Sequence, residues 1–332
     1  MRKAGFGVGY KTVQRILLVK TSSLGDVIHN LPVAGDIRAA FPRAVIDWVV
    51  EEAYAGVPRL HPAIARVLPV ALRRWRSGLL GGAARAEIRA FLGELRQTDY
   101  DAVIDTQGLW KSALVAWRAR GTRHGLDFAS SREPLALFYD RTYPVPWTLH
   151  AVERNRALAA QALGYAAPRG VDYGIQAPAG RFGWLPDGPY AVLVHATSAD
   201  EKLWPDHRWI ELATRLGERG IRSVLPWGSA PEHRRAEEIA RPVAGAVVTP
   251  GLPLAELAAV LARAHAVIGV DTGLTHLAAA LKVTTVGIYR ATDPAATGIY
   301  GSTRAINLGG IGAMPATADV LGALDRLVAR ES

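Results

Sequence analysis

The sequence predicts an α/β protein with two doubly wound domains, each containing a parallel sheet. Two observations support this prediction. Apolar runs of strand length alternate with helical patterns along almost all of the 332 residues, and a stretch rich in glycine and proline interrupts the alternation near the middle. Such alternation is typical of parallel strands joined by right-handed helical crossovers. The chain is also long enough to form two hydrophobic cores.

In the first half, short apolar runs predict strands and longer amphipathic stretches predict helices. The predicted strands are 16–19, 45–50 and 102–105, and the predicted helices are 24–40, 84–96 and 110–118. The second half repeats this order. Its predicted strands are 190–195, 223–225, 246–248, 266–270 and 284–288, and its predicted helices are 209–219, 232–240, 254–264 and 274–281. A last helix at 317–330 could pack on either domain.

The glycine- and proline-rich stretch between residues 164 and 189 predicts the domain boundary. We therefore expect four segments: an N-terminal extension, a first domain, a linker and a second domain. They are 1–14, 15–170, 171–188 and 189–332. Facing doubly wound domains would form a cleft at the carboxyl ends of their strands, where such sheets bind ligands. The basic extension, which could also reflect a misassigned start, lacks the apolar stretch of a secretory signal.

Composition excludes several classes of protein. The chain has no cysteine, which rules out disulfides and thiol chemistry, and no apolar run reaches the ~20 residues of a membrane-spanning helix. The net charge of +9 is concentrated in residues 1–170, which hold 24 basic and 14 acidic residues. Such an excess suits nucleic acid, an anionic membrane or an acidic substrate. A generally basic proteome would explain the total charge but explains this asymmetry poorly.

The turn after the first predicted strand is the most informative stretch of the first half. Thr21, Ser22 and Ser23 follow the strand, and a helix containing Asp26 comes next. A strand, a tight polar turn and a helix place backbone N–H groups at the sheet edge, where ligands bind. A carboxylate does not suit a phosphate site, so Asp26 indicates different chemistry.

Three turns of the second half could bind a nucleoside diphosphate. The strand that ends before Asp271 continues through Thr272 and Gly273 into a helix that carries His276. Either Asp271 or Thr272 can cap that helix, and a capped helix with an incidental histidine is the structural alternative. The other two turns offer hydroxyl groups, a lysine and a carboxylate: Thr197, Ser198, Lys202 and Glu232. Lys202 could also be an ordinary surface lysine, and Glu232 could only favour its own helix.

Several cations of the first half could bind an acidic substrate. Arg73 and Arg76 lie in the run Arg-Arg-Trp-Arg, and Lys111 and Arg132 follow later. A solvated basic loop is the simpler interpretation of the run. The stretch Asp47-Trp-Val-Val-Glu51-Glu52 ends the second strand with two carboxylates, and either could be catalytic or could pair with the nearby arginines.

Motifs of other enzyme classes are missing. No G-x-G-x-x-G follows the first strand, no G-x-x-x-x-G-K-[ST] lies near these strands, and no H-E-x-x-H occurs. The sequence therefore gives little support to a dehydrogenase or a P-loop NTPase, and we expect no catalytic metal.

Taken together, these segments resemble glycosyltransferase family 9. The matching pieces are Val19-Lys-Thr-Ser-Ser-Leu-Gly-Asp-Val-Ile-His29, Asp47-Trp-Val-Val-Glu-Glu52, Arg73-Arg-Trp-Arg76, Asp101-Ala-Val-Ile-Asp105, Arg132-Glu-Pro134, His150-Ala-Val-Glu-Arg154, Leu225-Pro-Trp-Gly228 and Val270-Asp-Thr-Gly-Leu-Thr-His276. They span residue 15 to about residue 300. One departure is Arg290-Ala291 where the family more often has Gly-Pro, which puts the local loop conformation in doubt.

The resemblance implies a GT-B fold and transfer, with inversion, of heptose from ADP-L-glycero-β-D-manno-heptose onto Kdo of Kdo2–lipid A. It implies that Asp26 is the general base and that no cofactor is required. The implied donor-binding residues are Thr197, Ser198, Lys202, Glu232, Leu252, Asp271, Thr272, Gly273 and His276. The acceptor-binding candidates are Arg73, Arg76, Lys111 and Arg132.

The implied location is the cytoplasmic face of the inner membrane, with peripheral binding to its anionic surface and no nucleic-acid partner. Two alternatives stay open at this point. A related family 9 enzyme would add heptose to an acceptor that already carries heptose. A basic nucleotide- or RNA-binding module would show salt-sensitive RNA binding without sugar transfer, and would leave Asp26 and Asp271 without a role.

Overall fold

Two sheets, each of six parallel strands, organise the part of the chain that the computed structural model describes, residues 13–78 and 81–330. The chain divides into two compact units, Met1–Gly170 and Val171–Ser332. Most of the predicted extension 1–14 lies outside the described residues. Among the described residues, no helix combines the length and the apolar character needed to cross a membrane.

The first unit contains six strands and six helices among its described residues. The strands are β1 Arg15–Val19, β2 Val45–Glu51, β3 Ile64–Val70, β4 Asp99–Asp105, β5 Arg120–Leu126 and β6 Arg141–Tyr143. The helices are α1 Leu24–His29, α2 Leu31–Ala40, α3 Leu72–Gly78, α4 Gly82–Leu95, α5 Trp110–Arg118 and α6 Ala151–Leu163. The sheet order is β3-β2-β1-β4-β5-β6, so β1 lies between β2 and β4.

The second unit has the same plan. Its strands are β7 Tyr190–Val194, β8 Arg222–Leu225, β9 Val247–Val248, β10 Ala266–Val270, β11 Thr285–Tyr289 and β12 Ala305–Gly309. Its helices are α7 Asp206–Glu218, α8 Ala230–Ala240, α9 Leu254–Ala262, α10 Gly273–Ala280, α11 Pro294–Thr297 and α12 Thr317–Val328. The order is β12-β11-β10-β7-β8-β9. Strand β7 therefore lies between β8 and β10, just as β1 lies between β2 and β4 in the first sheet.

Every strand predicted from apolar runs is present, because strands buried on both faces of a parallel sheet are apolar almost throughout. All five residues of β7 and of β10 are buried. The last helix, α12, packs on the sheet of the second unit, with Val320, Ala323 and Leu324 in its core. The sequence left that choice open.

The predicted continuous helix 24–40 is wrong. Asn30 ends α1 and begins α2, and Pro32 lies in the first turn of α2. Proline has no N–H for the helical hydrogen bond, and its ring clashes with the carbonyl group four residues earlier. The chain therefore starts a new helix after Asn30. The simpler interpretation of Arg73–Arg76 as a basic loop is also wrong, because these residues lie on α3.

Candidate functional site

In the first unit, the loops after β1 and β4 lie side by side at the carboxyl edge of the sheet. After β1 the chain adds β2 and β3 on one side of that strand, and it then returns to add β4 on the other side. Loops diverge at such a switch point, and the crevice between them is the usual ligand position in a doubly wound sheet. The switch point of the first unit is therefore formed by residues 20–23 and 106–109.

Gln107 connects these two loops. Its Oε1 accepts hydrogen bonds from the Thr21 N–H, at 2.6 Å, and from the Thr21 hydroxyl, at 2.7 Å. Its Nε2 donates to the carbonyl oxygen of Ser22 at 2.9 Å. The backbone N–H of Gln107 is in turn held by the buried carboxylate of Asp105, at 2.9 Å. One neutral side chain thus fixes the turn that leads into α1.

Asp26 lies half-buried in the first turn of α1. Its Oδ2 accepts hydrogen bonds from the Ser23 N–H at 2.9 Å and from the Ser23 hydroxyl at 2.8 Å. Within the described part of the chain, Oδ1 accepts no hydrogen bond. The carboxylate is therefore oriented through one oxygen, while the other oxygen can accept a proton from a ligand.

Two lysines lie near Asp26. Lys20 is buried, and its Nζ donates to the carbonyl oxygen of Thr106 at 3.0 Å. Lys111, on α5, donates from Nζ to the hydroxyl of Ser22. Burial lowers the pKa of both lysines, while the charge of Asp26 acts in the opposite direction. The site residues Asp26 and Lys111 are thus brought together.

The three predicted arginines of the acceptor set are exposed. The guanidinium of Arg73 lies 5.3 Å from the centre of the Tyr54 ring, and its charge helps to lower the pKa of Lys111. The charge of Arg132 contributes to lowering the pKa of Lys20. The charges of Arg73 and Arg132 therefore reach the two lysines near Asp26. Arg76 is exposed on α3, the helix that also carries Arg73.

The acidic residues within and directly after β2 hold neighbouring groups of the first unit. Asp47 pairs with Arg66 at 2.8 Å and accepts a hydrogen bond from Tyr100 at 2.8 Å. Glu52 pairs with Arg74 at 3.0 Å. The buried Glu51 accepts a hydrogen bond from the backbone N–H of Arg73 at 3.1 Å. Of the two interpretations that the sequence left open, pairing with neighbouring groups describes these carboxylates.

The second unit has its switch point between β7 and β10. Asp271, the first residue after β10, is buried and joins three side chains. Its Oδ2 contacts Lys202 Nζ at 2.7 Å and accepts from the Thr292 hydroxyl at 2.7 Å, and its Oδ1 lies 3.4 Å from His276 Nε2. Burial alone would raise the pKa of Asp271, but hydrogen bonds from His276, Lys202 and Thr292 outweigh it and keep this pKa below its ordinary value.

The backbone of Asp271 also connects to the loop after β7. The Thr197 hydroxyl donates to the carbonyl oxygen of Asp271 at 3.2 Å. Ser198, the next residue, is exposed. Thr197, Lys202, Asp271 and His276 are therefore brought together by direct contacts.

Helix α10 points its N-terminus at this switch point. Its approach to the sheet depends on Gly269, because a Cβ there would lie 2.1 Å from the Thr275 hydroxyl oxygen. Thr272 occupies the N-cap position, and Gly273 is the first residue of the helix. The side chain of Thr272 makes no capping hydrogen bond, and Asp271 points to Lys202 instead. The first N–H groups of a helix have no partner within the helix, so they can bind an anion here.

Glu232 and Leu252 lie at the carboxyl ends of neighbouring strands. Glu232, in the first turn of α8, accepts a hydrogen bond from the Gly228 N–H at 2.7 Å. Leu252 is half-buried in the loop after β9. The indole of Trp227 connects the two loops by donating to the carbonyl oxygen of Thr249 at 2.7 Å. These residues form a second group beside the switch point.

Sequence reasoning missed Arg235, which holds the loop after β7. Its guanidinium donates to Asp206 at 2.7 Å and to the carbonyl oxygens of His195, at 2.6 Å, and Trp204, at 2.7 Å. It also missed Gln107 and Thr292. An arginine on an amphipathic helix resembles any other surface residue in sequence, so no local signal marked Arg235. Gln107 stands two residues after the predicted strand 102–105, and this strand-end position was a usable signal.

Comparison with known proteins identifies the family of this chain. The family model for glycosyltransferase family 9 (heptosyltransferase) matches residues 88–320. The chain is 51% identical over 302 residues to lipopolysaccharide heptosyltransferase 1 of Pseudomonas aeruginosa, covering 89% of this chain and 83% of that protein.

Among solved structures, E. coli heptosyltransferase WaaC with ADP matches with a TM-score of 0.85 and 41% identity, over 96% of this chain and 100% of that chain. The structure of WaaC with ADP-2-deoxy-2-fluoro heptose matches with a TM-score of 0.83, the same identity and the same coverage. The predicted GT-B fold class and the predicted enzyme class, glycosyltransferase, are therefore confirmed. The chain belongs to glycosyltransferase family 9, the heptosyltransferases.

Proposed function

We propose that this chain is an inverting glycosyltransferase that moves L-glycero-D-manno-heptose from ADP-heptose onto Kdo of Kdo2–lipid A. The step belongs to synthesis of the lipopolysaccharide inner core. The observation that carries the proposal is Asp26, a carboxylate oriented through Oδ2 at a sheet edge suited to ligands, with Oδ1 left to accept a proton. The 51% identity to a lipopolysaccharide heptosyltransferase 1 supports the choice of reaction.

In the proposed reaction, Asp26 acts on the acceptor. Its Oδ1 takes the proton of a Kdo hydroxyl as that oxygen attacks the anomeric carbon of the heptose. The bond from the anomeric carbon to the β-phosphate oxygen breaks, and ADP leaves with the electron pair. A single displacement of this kind inverts the anomeric centre. The second carboxylate oxygen, held by Ser23, keeps the base aligned during the transfer.

The second unit binds the donor in this proposal. Lys202 and the N-terminus of α10 supply positive charge for the diphosphate, whose own negative charge grows as the bond breaks. Thr197 and Ser198 donate hydroxyl hydrogen bonds, Glu232 accepts from the ribose diol, and Leu252 contacts the nucleotide through its backbone. The two WaaC structures, with ADP and with ADP-2-deoxy-2-fluoro heptose, support this donor. The proposed reaction requires no resident cofactor.

Asp271, Thr272, Gly273 and His276 complete the donor site. Asp271 fixes Lys202 by their 2.7 Å contact, so that the ammonium is oriented before the donor binds. Gly273 allows a phosphate to approach the backbone, and His276 adds a hydrogen-bonding imidazole. Burial of Asp271 reduces the screening of this pair by salt.

The first unit binds the acceptor through its cations. Arg73, Arg76, Lys111 and Arg132 contact the carboxylates of Kdo and the phosphates of lipid A, since guanidinium groups bind both in a bidentate manner. The acceptor is a lipid, so we place the protein peripherally at the cytoplasmic face of the inner membrane. The basic excess of the first half supports contact with an anionic surface.

Release of ADP from ADP-heptose in the presence of Kdo2–lipid A tests this function. We expect release to require the acceptor and to yield a product that carries one added heptose. A preference for an acceptor that already carries heptose would instead indicate the second type of family 9 enzyme. Salt-sensitive RNA binding without any transfer would contradict the proposal as a whole.

A further inference from the structure

Helix α5 exposes an apolar face to solvent. Trp110, Leu114 and Trp117 are spaced by four and three residues, which places them on one side of a helix. The other side of α5 carries the buried residues Ala113 and Ala116, which pack on the first unit. Trp117 is 48% exposed, and the other two residues of the face are exposed to a similar extent. An amphipathic helix normally points such residues at the core, so this face needs a different explanation.

A neighbouring turn extends the apolar face. The 3-10 turn Ala136–Phe138 packs against α5, with the rings of Phe138 and Trp110 5.1 Å apart. Leu137 lies in the middle of this turn and is 87% exposed. We call Trp110, Leu114, Trp117 and Leu137 the aromatic surface. Contiguous exposed apolar groups of this kind mark interaction sites in soluble proteins.

The aromatic surface begins at the sheet edge that carries Asp26. Helix α5 starts directly after the loop of β4, so Trp110 lies at the carboxyl end of the strands. Phe128 follows β5 and Trp147 follows β6, and both are exposed at the same edge. Tryptophan is the residue type that prefers the boundary between water and lipid.

Guanidinium groups accompany these rings. Arg118 lies 4.7 Å from the ring centre of Trp117, and Arg154 lies 3.9 Å from that of Trp147. The half of the chain that forms this unit carries 24 basic and 14 acidic residues. Tryptophan and leucine flanked by arginine complement an anionic membrane surface, with apolar groups entering the interface and cations contacting the phosphates.

We propose that the aromatic surface inserts into the interface of an anionic phospholipid bilayer and anchors the first unit there. This inference deepens the proposed function, on which it rests for the lipid-linked acceptor. It assigns membrane contact to α5 and its neighbouring turn.

Vesicle co-sedimentation tests the anchor without any donor or acceptor. The full chain is mixed with vesicles of phosphatidylethanolamine and phosphatidylglycerol, and separately with vesicles of phosphatidylcholine. We expect binding to the anionic vesicles that falls about tenfold or more in the triple variant Leu114→Gln, Trp117→Gln, Leu137→Gln, because three apolar side chains no longer leave water. The single variant Leu137→Glu changes a residue of the surface turn and should also lower binding.

A matched control is available in the second unit. Ile311 is 76% exposed, so Ile311→Gln removes a comparable apolar side chain from a surface outside the proposed anchor. We expect Ile311→Gln to bind vesicles as the unchanged protein does. Equal vesicle binding by the triple variant would overturn the proposal. The proposal would also be overturned if the triple substitution left vesicle binding unchanged and only converted an oligomer to a monomer in sedimentation. The aromatic surface would then be a contact between copies of the chain.

Transfer assays separate this inference from the proposed function. The triple variant should retain transfer to a water-soluble Kdo acceptor without acyl chains and should lose transfer to Kdo2–lipid A in vesicles. A different outcome is that the triple variant loses vesicle binding while the unchanged protein transfers heptose to no Kdo acceptor. That result would contradict the proposed function and would still support the anchor. Full transfer in vesicles by a triple variant that still binds them as the unchanged protein does would overturn the anchor alone.

Discussion

Both units have a switch point between the first and the fourth strand of their sheet, but different interactions hold the loops at the two switch points. At the switch point of the second unit, an ion pair joins the loops, with Lys202 Nζ 2.7 Å from Asp271 Oδ2. At that of the first unit, the described loops are joined without an ion pair, by the neutral side chain of Gln107 and by a hydrogen bond from Lys20 to the carbonyl oxygen of Thr106. Among the described residues, the carboxylate of Asp26 accepts hydrogen bonds from Ser23 alone. One scaffold can therefore present a fixed positive charge or a carboxylate that is ready to take a proton.

Replacing Asp26 by asparagine gives the sharpest test of this contrast. The amide can keep the hydrogen bonds from Ser23 but cannot accept the proton, so we expect kcat to fall about 10²–10⁴-fold with little change in melting temperature. Asp99→Asn is the control, since Asp99 is an exposed aspartate at the start of β4 in the same unit. Near-normal turnover of a folded Asp26→Asn protein would remove Asp26 from its role as base.

Lys202→Met tests the charged switch point. Loss of the ammonium should lower kcat roughly 10²–10³-fold, because the charge acts most strongly on the leaving diphosphate. Lys282→Met serves as the control, since that lysine is exposed and forms an ion pair with Asp172, at 3.3 Å, away from the switch point. A raised KM for ADP-heptose with unchanged kcat would show that Lys202 binds the donor without stabilising the leaving group.

The second unit also buries a neutral imidazole beside its switch point. Burial, helped by the charge of Arg235, lowers the pKa of His195 from 6.5 to about 4. Between these values the unfolded chain binds a proton that the folded chain does not, so the free energy of unfolding falls as pH drops from 6.5 to 4. His195→Gln should remove part of this dependence, on the order of 3 kcal/mol between pH 7 and pH 4.

Urea denaturation at several pH values measures this effect. His207→Gln, at an exposed position of α7, should keep the full pH dependence. Some dependence should also persist in the His195→Gln protein, because burial lowers the pKa of His124 in the first unit to about 4. Parallel curves for the His195→Gln protein and the unchanged protein would contradict the prediction.

Gln107→Ala is expected to have the smallest effect. It removes the hydrogen bonds to Thr21 and Ser22, so the turn before α1 loosens and Asp26 is less well aligned. Loss of alignment of this kind should cost about tenfold in kcat. The exposed Gln97 provides the control as Gln97→Ala. A loss in the Gln107→Ala protein that appears only as a lower melting temperature would show that Gln107 serves the fold alone.

The sequence could predict the sheets because their central strands are buried and almost purely apolar. Sequence reasoning missed strands that contain a proline or a glycine. Strand β3 contains Pro69 and lies at a sheet edge, where proline is tolerated. Strand β5 contains Gly125, where a Cβ would lie 2.3 Å from the ring of Tyr139. The close approach of Tyr139 requires the glycine, and neither residue reveals this alone.

Sequence reasoning identified positions for the candidate site but not the contacts between them. Asp26 and Asp271 stand next to strands and helices that a local pattern reveals. Their surroundings depend on residues far away in the chain, since Lys202 and Asp271 are 69 residues apart and Thr21 and Gln107 are 86 apart. Periodicity carries no information about such pairs. The roles of Arg235 and Gln107 became visible only once the fold brought the loops together.

The neutral connection made by Gln107 has a consequence for kinetics. Amide, hydroxyl and backbone groups carry no net charge, so dissolved salt should not weaken the hydrogen bonds by which Gln107 holds Thr21 and Ser22. A change of kcat with ionic strength would therefore report the charged groups that bind the substrates, and not a rearrangement of the turn that leads to Asp26.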